Sequence, residues 1–179
     1  MKKLLSAGLL LSTLALAGCS STLSNNNSSQ GNSSATSSQT YTNTSSFKNN
    51  VFENNDAKIE IVKTQVSQPG GEVNELGGKP AFVIWYKITN KSGAELTPGS
   101  WLNYFDAYQS DSGTESKLTN PPMPQYTNYT RNMVNSIKKG ETAENAVAYE
   151  LTNTTQPVRL VAQSALSQEK FGEQTFNLK

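Results

Sequence analysis

The sequence predicts an all-β domain, most simply a β-sandwich, and three observations lead there. Short runs rich in β-branched and aromatic residues recur at roughly ten-residue spacing from residue 51 onward. Clusters of Gly, Asn, Asp, Ser and Pro separate them. No segment sustains the helical period of apolar residues. About seven antiparallel strands fit into residues 51–179, and a barrel of the same strands is the alternative.

The first strand is expected over Ala57 to Val66, which alternates in part and ends at Pro69-Gly70-Gly71. The longest apolar run outside the N-terminus follows, from Pro80 to Asn90, and is the strand around which the rest should pack. Phe82, Ile84, Tyr86 and Ile88 share one face of it, and Val83, Trp85, Lys87 and Thr89 the other. A third strand covers about Leu102 to Gln109, and Asp111-Ser112-Gly113-Thr114 turns it into a short edge strand near Glu115 to Leu118. Thr119 to Asn132 carries Pro121, Pro122 and Pro124, which no central strand tolerates, and reads as a long loop. Regular structure is expected again at Met133 to Ile137, then a turn at Lys138-Lys139-Gly140-Glu141. Thr142 to Thr152 alternates, with Val147, Tyr149 and Leu151 inward. Val158 to Ala162 and Gln174 to Leu178 complete the set, with Gly172 interrupting before the last strand and a possible helical turn at Ser164 to Lys170.

The N-terminus determines the compartment. Met1-Lys2-Lys3 is a basic start, Leu4 to Leu14 an apolar stretch of signal-peptide length, and Leu16-Ala17-Gly18-Cys19 follows. A spanning helix needs about 20 apolar residues, so this stretch is too short to be one. Residues 1–18 therefore read as a lipoprotein signal peptide, and Cys19 as the acceptor of a diacylglycerol thioether and a further acyl chain such as palmitate. Cys19 is the single cysteine of the 179 residues, so no internal disulfide competes for it. Two acyl chains anchor stably, because each buried CH₂ contributes about 0.8 kcal/mol. Residues 19–50 are dominated by Ser, Asn, Thr and Gln, with too few apolar groups to offset backbone ordering. They are expected to form a disordered linker, spanning about 30 Å on average. Residues 51–179 are the folded domain.

Loss of residues 1–18 removes Lys2 and Lys3 and takes the formal charge from +1 to −1. A near-neutral chain without a basic stripe is not built for nucleic acid. The chain contains no histidine, which removes Ser-His-Asp and Cys-His nucleophilic systems and imidazole zinc sites together. Gly77-Gly78-Lys79 glances at a phosphate loop, but Val73 stands where the first glycine belongs and Pro80 where Ser or Thr should be. Asp106, Asp111 and Glu115 are the carboxylates that invite a hydrolytic pair or a calcium site, but their spacing matches no loop signature, and solvated surface is the favoured reading. Neither cofactor nor metal is expected.

The best candidate binding surface is aromatic: Trp101, Tyr104 and Tyr108, with Tyr126 and Tyr129 from the proline-rich loop folding over the same end. The plainer alternative packs Trp101 and Phe105 inside the sandwich and leaves the tyrosines on its rim.

Two segments carry a resemblance. Gly78-Lys79-Pro80-Ala81, the apolar run after it and Thr89-Asn90-Lys91-Ser92 resemble lipoproteins of low-GC Gram-positive bacteria that carry an immunoglobulin-like domain of unknown function. Ser136-Ile137-Lys138-Lys139-Gly140-Glu141-Thr142 is similar to that family's turn and following strand. The wider group is similar to secreted mycobacterial antigens with an immunoglobulin-like sandwich. The resemblance implies an immunoglobulin-like fold and brings no catalytic or ligand residue. The expectation is a monomeric module at the extracellular face of the cell membrane, anchored through Cys19, that binds a cell-wall component or surface protein and is not an enzyme. The alternatives are a wall-polymer hydrolase using Asp106, Asp111 or Glu115, and a purely structural or antigenic surface lipoprotein.

Overall fold

The computed structural model describes residues 44–122 and 128–178. The signal peptide, Cys19, the linker up to residue 43 and Tyr126 lie outside the described residues. Two antiparallel sheets hold nine strands among those described. One sheet runs in the order β1 (Ser46–Lys48), β2 (Val51–Glu53), β3 (Ala57–Ser67), β4 (Ala81–Asn90), β7 (Thr142–Glu150). The other runs β6 (Thr114–Lys117), β5 (Phe105–Asp111), β8 (Val158–Gln163), β9 (Lys170–Phe176). The chain changes sheet after β4, β6 and β7, so strands distant in sequence become neighbours and the two sheets enclose one core, an immunoglobulin-like sandwich.

β4 is flanked by β3 and β7 and positions the core. Its inward residues Phe82, Ile84, Tyr86 and Ile88 are each at most 1 % exposed. β3 keeps its register with β4 by a bulge: Ile61 pairs with Tyr86 and Lys63 with Trp85, leaving Val62 extra. The bulge reverses the alternation, so Ile59 and Ile61 point inward before it and Val66 after it. Lys63 and Gln65 consequently face out. The core's polar aromatics find partners: the Tyr86 hydroxyl donates to the Pro98 carbonyl at 2.8 Å, and the Trp101 indole N–H donates to the Tyr149 hydroxyl at 2.9 Å. Burial holds both phenols well above the usual tyrosine range.

Five expectations are corrected. The domain begins before Val51, because β1 and β2 form a hairpin that buries Phe47 and Phe52. Its two turn residues, Asn49 and Asn50, both adopt positive φ (51° and 64°), the backbone a two-residue hairpin demands and asparagine tolerates. The strand expected from Leu102 starts only at Phe105, because Pro98 opens a 3₁₀-helix over Pro98–Asn103 that Ser100 caps by accepting the Thr97 N–H at 3.1 Å. Met133 to Ile137 forms no strand. The proline-rich loop contains a short helix, α1 (Asn128–Asn132), and screens the β7 edge: Thr119 accepts the Glu150 N–H at 2.7 Å, and the Asn120 amide donates to Ala148 at 2.7 Å. Gly172 lies inside β9 rather than before it, at φ 150°, where a Cβ would stand 2.4 Å from the Phe47 carbonyl.

Candidate functional site

The sandwich disperses the aromatic set that the sequence groups together. Phe105, Ala107 and Gln109 point inward along β5 while Asp106 and Tyr108 point outward. Trp101 is 0 % exposed, stacks on Phe105 at 4.1 Å and meets Tyr86 at 4.5 Å. It is a core residue, as the plainer reading has it, and offers no surface to a ligand. Tyr104 is half-buried against Phe52 at 4.9 Å, and burial raises its phenol. Tyr108 stands on the outer face of the four-stranded sheet beneath the Arg159 guanidinium, 4.9 Å away. Tyr129, on α1, packs instead against the outer face of the five-stranded sheet. Four described candidates thus occupy four different environments.

The three carboxylates have separate partners. Asp106 takes the Lys117 ammonium at 2.7 Å and the Gln163 amide at 2.8 Å. Asp111 belongs to the β5–β6 turn and accepts the Ser112 hydroxyl at 3.2 Å. Glu115 accepts the Arg159 Nε–H at 2.8 Å, and this bond holds its carboxyl below the ordinary range.

A different constellation assembles on the outer face of the five-stranded sheet. Val83 of β4 and Ala146 and Ala148 of β7 form an apolar patch there, buried in one cluster with Val73 of the loop between β3 and β4. Val73 is held at φ 60°, a costly backbone for a β-branched residue. The buried Asn74 beside it secures the loop: its amide donates to the Ser67 carbonyl at 3.2 Å and the Lys79 carbonyl at 2.9 Å. Position 77 must be glycine, since a Cβ there would stand 1.8 Å from Asn74 Oδ1.

Beyond this patch the face opens into a groove of about 300 Å³ lined by Val62, Lys63, Trp85, Tyr129, Glu144 and Asn145. Trp85 is half-buried and follows Val83 along β4. Its indole N–H donates to the Tyr129 hydroxyl at 3.3 Å, which in turn donates to Glu72 Oε1 at 2.8 Å. The bond from Trp85 lowers the Tyr129 phenol, but burial and the bond to Glu72 outweigh it and the group titrates above its ordinary value. The Asn145 amide donates to the Tyr129 carbonyl at 3.3 Å and so ties α1 to β7. The bulge at Val62 turns Lys63 outward, and its ammonium sits 4.5 Å from the Trp85 ring. Glu144 pairs with Lys87 at 2.9 Å. The result is an aromatic platform with an acidic and a basic rim, suited to binding.

Of the expected site residues that are described, Tyr129 alone contributes to this groove. Trp85 was legible as an outward residue of the longest apolar run, and a large aromatic on that side was the available signal.

Comparison with known proteins bears on the fold. The sequence profile of the family described as a domain of unknown function (DUF5067) matches residues 32–164. The structure of a candidate lipoprotein from Staphylococcus aureus aligns with a TM-score of 0.63 at 22 % identity, covering 74 % of this chain and 91 % of that one. An uncharacterized β-sandwich protein from Clostridium difficile aligns at 20 % identity and a TM-score of 0.44, over 72 % of this chain and 89 % of that one. No curated protein matches.

Proposed function

Starting from a chain that belongs to the DUF5067 family of domains of unknown function, we propose that it is a lipid-anchored surface module that binds a component of the cell envelope without catalysing a reaction. The observation that carries the reading is Leu16-Ala17-Gly18-Cys19 behind an apolar leader, with Cys19 the sole thiol and a Ser/Asn-rich linker after it. A relative of the same fold, the Staphylococcus aureus protein, is described as a candidate lipoprotein, which supports the same address here. Among the described residues no helix is long and apolar enough to cross a membrane, so the lipid on Cys19 is the proposed attachment. The protein then stands at the extracellular face of a Gram-positive membrane, with its linker lifting the sandwich toward the wall. Binding is favoured over hydrolysis because Asp106 and Glu115, the carboxylates that invited a hydrolytic pair, are each engaged by a cation, Lys117 and Arg159.

The test has two parts. Cys19→Ser removes the acyl acceptor, so the chain is expected in the medium or as an unprocessed precursor; unchanged membrane attachment refutes the anchor. The full chain, held in zwitterionic detergent, is expected to be retained by purified wall polymer or by an immobilised envelope protein extract, and the absence of retention by both refutes the binding role.

A further inference from the structure

We propose that the groove over Trp85 takes a pyranose ring of a wall glycan, an assignment that rests on the binding role above and narrows it to one ligand class. At about 300 Å³ the groove is at the small end of ligand sites, room for one or two rings. Its floor is the kind of flat aromatic surface that the C–H face of a sugar covers, and such surfaces combine large rigid area with a polar handle.

The polar rim separates a sugar from an extended peptide. An aromatic-lined peptide groove offers indole and phenol hydrogens to backbone carbonyls. Here both are already engaged: Trp85 donates to Tyr129, and Tyr129 donates to Glu72. What remains is acceptor capacity on the carboxylates of Glu72 and Glu144, each with lone pairs left beyond the one partner named, and donor capacity on Lys63. Lys63 joins no ion pair among the described residues. Hydroxyl groups both donate and accept, so a ring bearing hydroxyls matches a groove margin that holds both carboxylate acceptors and an ammonium donor. A proline-rich peptide, rich in carbonyls but short of N–H groups, would face the carboxylates acceptor to acceptor.

Lys63 also explains how the ring is kept in the free protein. Its ammonium caps the Trp85 face at 4.5 Å, an exposed cation–π contact that a stacking sugar displaces at small cost. Lys63 then swings to the ligand's edge as a hydrogen-bond donor.

The experiment uses the chain's own fluorescence. Trp85 and Trp101 are its only tryptophans, and Trp101 is fully buried, so acrylamide quenching reports on Trp85. The full chain in zwitterionic detergent is titrated with a peptide-free tetrasaccharide of alternating N-acetylated hexosamines, and separately with the wall's stem peptide. The expected result is saturable protection of Trp85 by the tetrasaccharide, with a Kd on the order of 0.1–1 mM, and none by the peptide. Lys63→Met and Glu72→Ala, both at exposed positions and so expected to melt as the native chain does, should each weaken the sugar at least about fivefold. Protection by the peptide alone, protection by neither, or full affinity in both variants overturns the assignment. Retention of the chain on wall polymer together with failure of the tetrasaccharide removes this site and leaves the binding role standing; loss of both removes both.

Discussion

The two outer faces of the sandwich are built from opposite chemistry. On the four-stranded sheet Arg159 of β8 lies between Glu115 of β6 and Glu173 of β9 and covers Tyr108 of β5, while Lys170 also reaches Glu173 at 2.6 Å. Arg159, Lys170, Glu115 and Glu173 thus offset one another across and along the strands, which is how a solvated sheet face is completed. The five-stranded sheet instead presents Val83, Ala146, Ala148 and Trp85 outward, and a strained loop and a short helix are folded onto part of it. A face whose polar groups satisfy one another has little left to offer a ligand. An apolar face with an aromatic residue at the margin of its cover does, and the two tryptophans mark the same contrast: Trp101 is fully buried, Trp85 only in part.

The strongest way to break that contrast is to truncate both rings. Trp101→Ala removes a fully buried indole, its stack on Phe105 and its bond to Tyr149, and should cost about 3–5 kcal/mol in urea denaturation. Trp85→Ala should cost less, about 1–2 kcal/mol, since its ring is only partly buried. Equal losses would mean that the outer groove is a second core rather than a site.

A buried polar group gives an intermediate effect. Gln109 is 1 % exposed, and its amide donates to the carbonyls of Asn153 (3.0 Å) and Gln156 (2.8 Å). Its oxygen accepts the Thr152 N–H at 2.9 Å and the Thr152 hydroxyl at 2.7 Å, so one side chain secures the β7–β8 connection. Gln109→Leu strands these groups and should lower stability by roughly 2–3 kcal/mol, read as a drop in the thermal midpoint.

The smallest effect sharpens the description of the charged face. The Glu173 carboxyl is lowered by Lys170 and then Arg159, and the Glu115 carboxyl by Arg159. Because both folded-state values are depressed, their stabilisation is complete above the ordinary carboxylate value of about 4.3 and is lost as pH falls through the lowered ones. Glu115→Gln should therefore reduce the loss of stability between neutral pH and about pH 3, by less than about 1 kcal/mol for so exposed a pair. Followed by urea midpoints across that range, an unchanged acid loss would show that the pairs contribute nothing there.

Much of the fold is legible because it rests on local regularities. The alternation of Phe82, Ile84, Tyr86 and Ile88 places those four side chains inward without reference to any other segment, and β4, β7 and β8 lie within a residue or two of where that pattern puts them. The β1–β2 hairpin escapes the same reading because Phe47 and Phe52 sit in a tract of Ser and Asn whose composition alone argues against a core. Only the double-asparagine turn at Asn49-Asn50 marks it. At the site, proximity in sequence misleads: Trp101, Tyr104 and Tyr108 are neighbours along the chain and point three different ways.

The sequence by itself determined the central strands β4, β7 and β8, the inward residues they give the core and the motif around Cys19, all of which depend on short-range periodicity and spacing. The tertiary structure alone decided which tryptophan faces water. That outcome depends on the bulge that turns Lys63 over Trp85 and on a hydrogen bond that joins Trp85 to Tyr129 across 44 residues. A period of two reports which side of a strand a residue occupies; what covers that side comes from distant segments, through register and loop packing that no local pattern encodes.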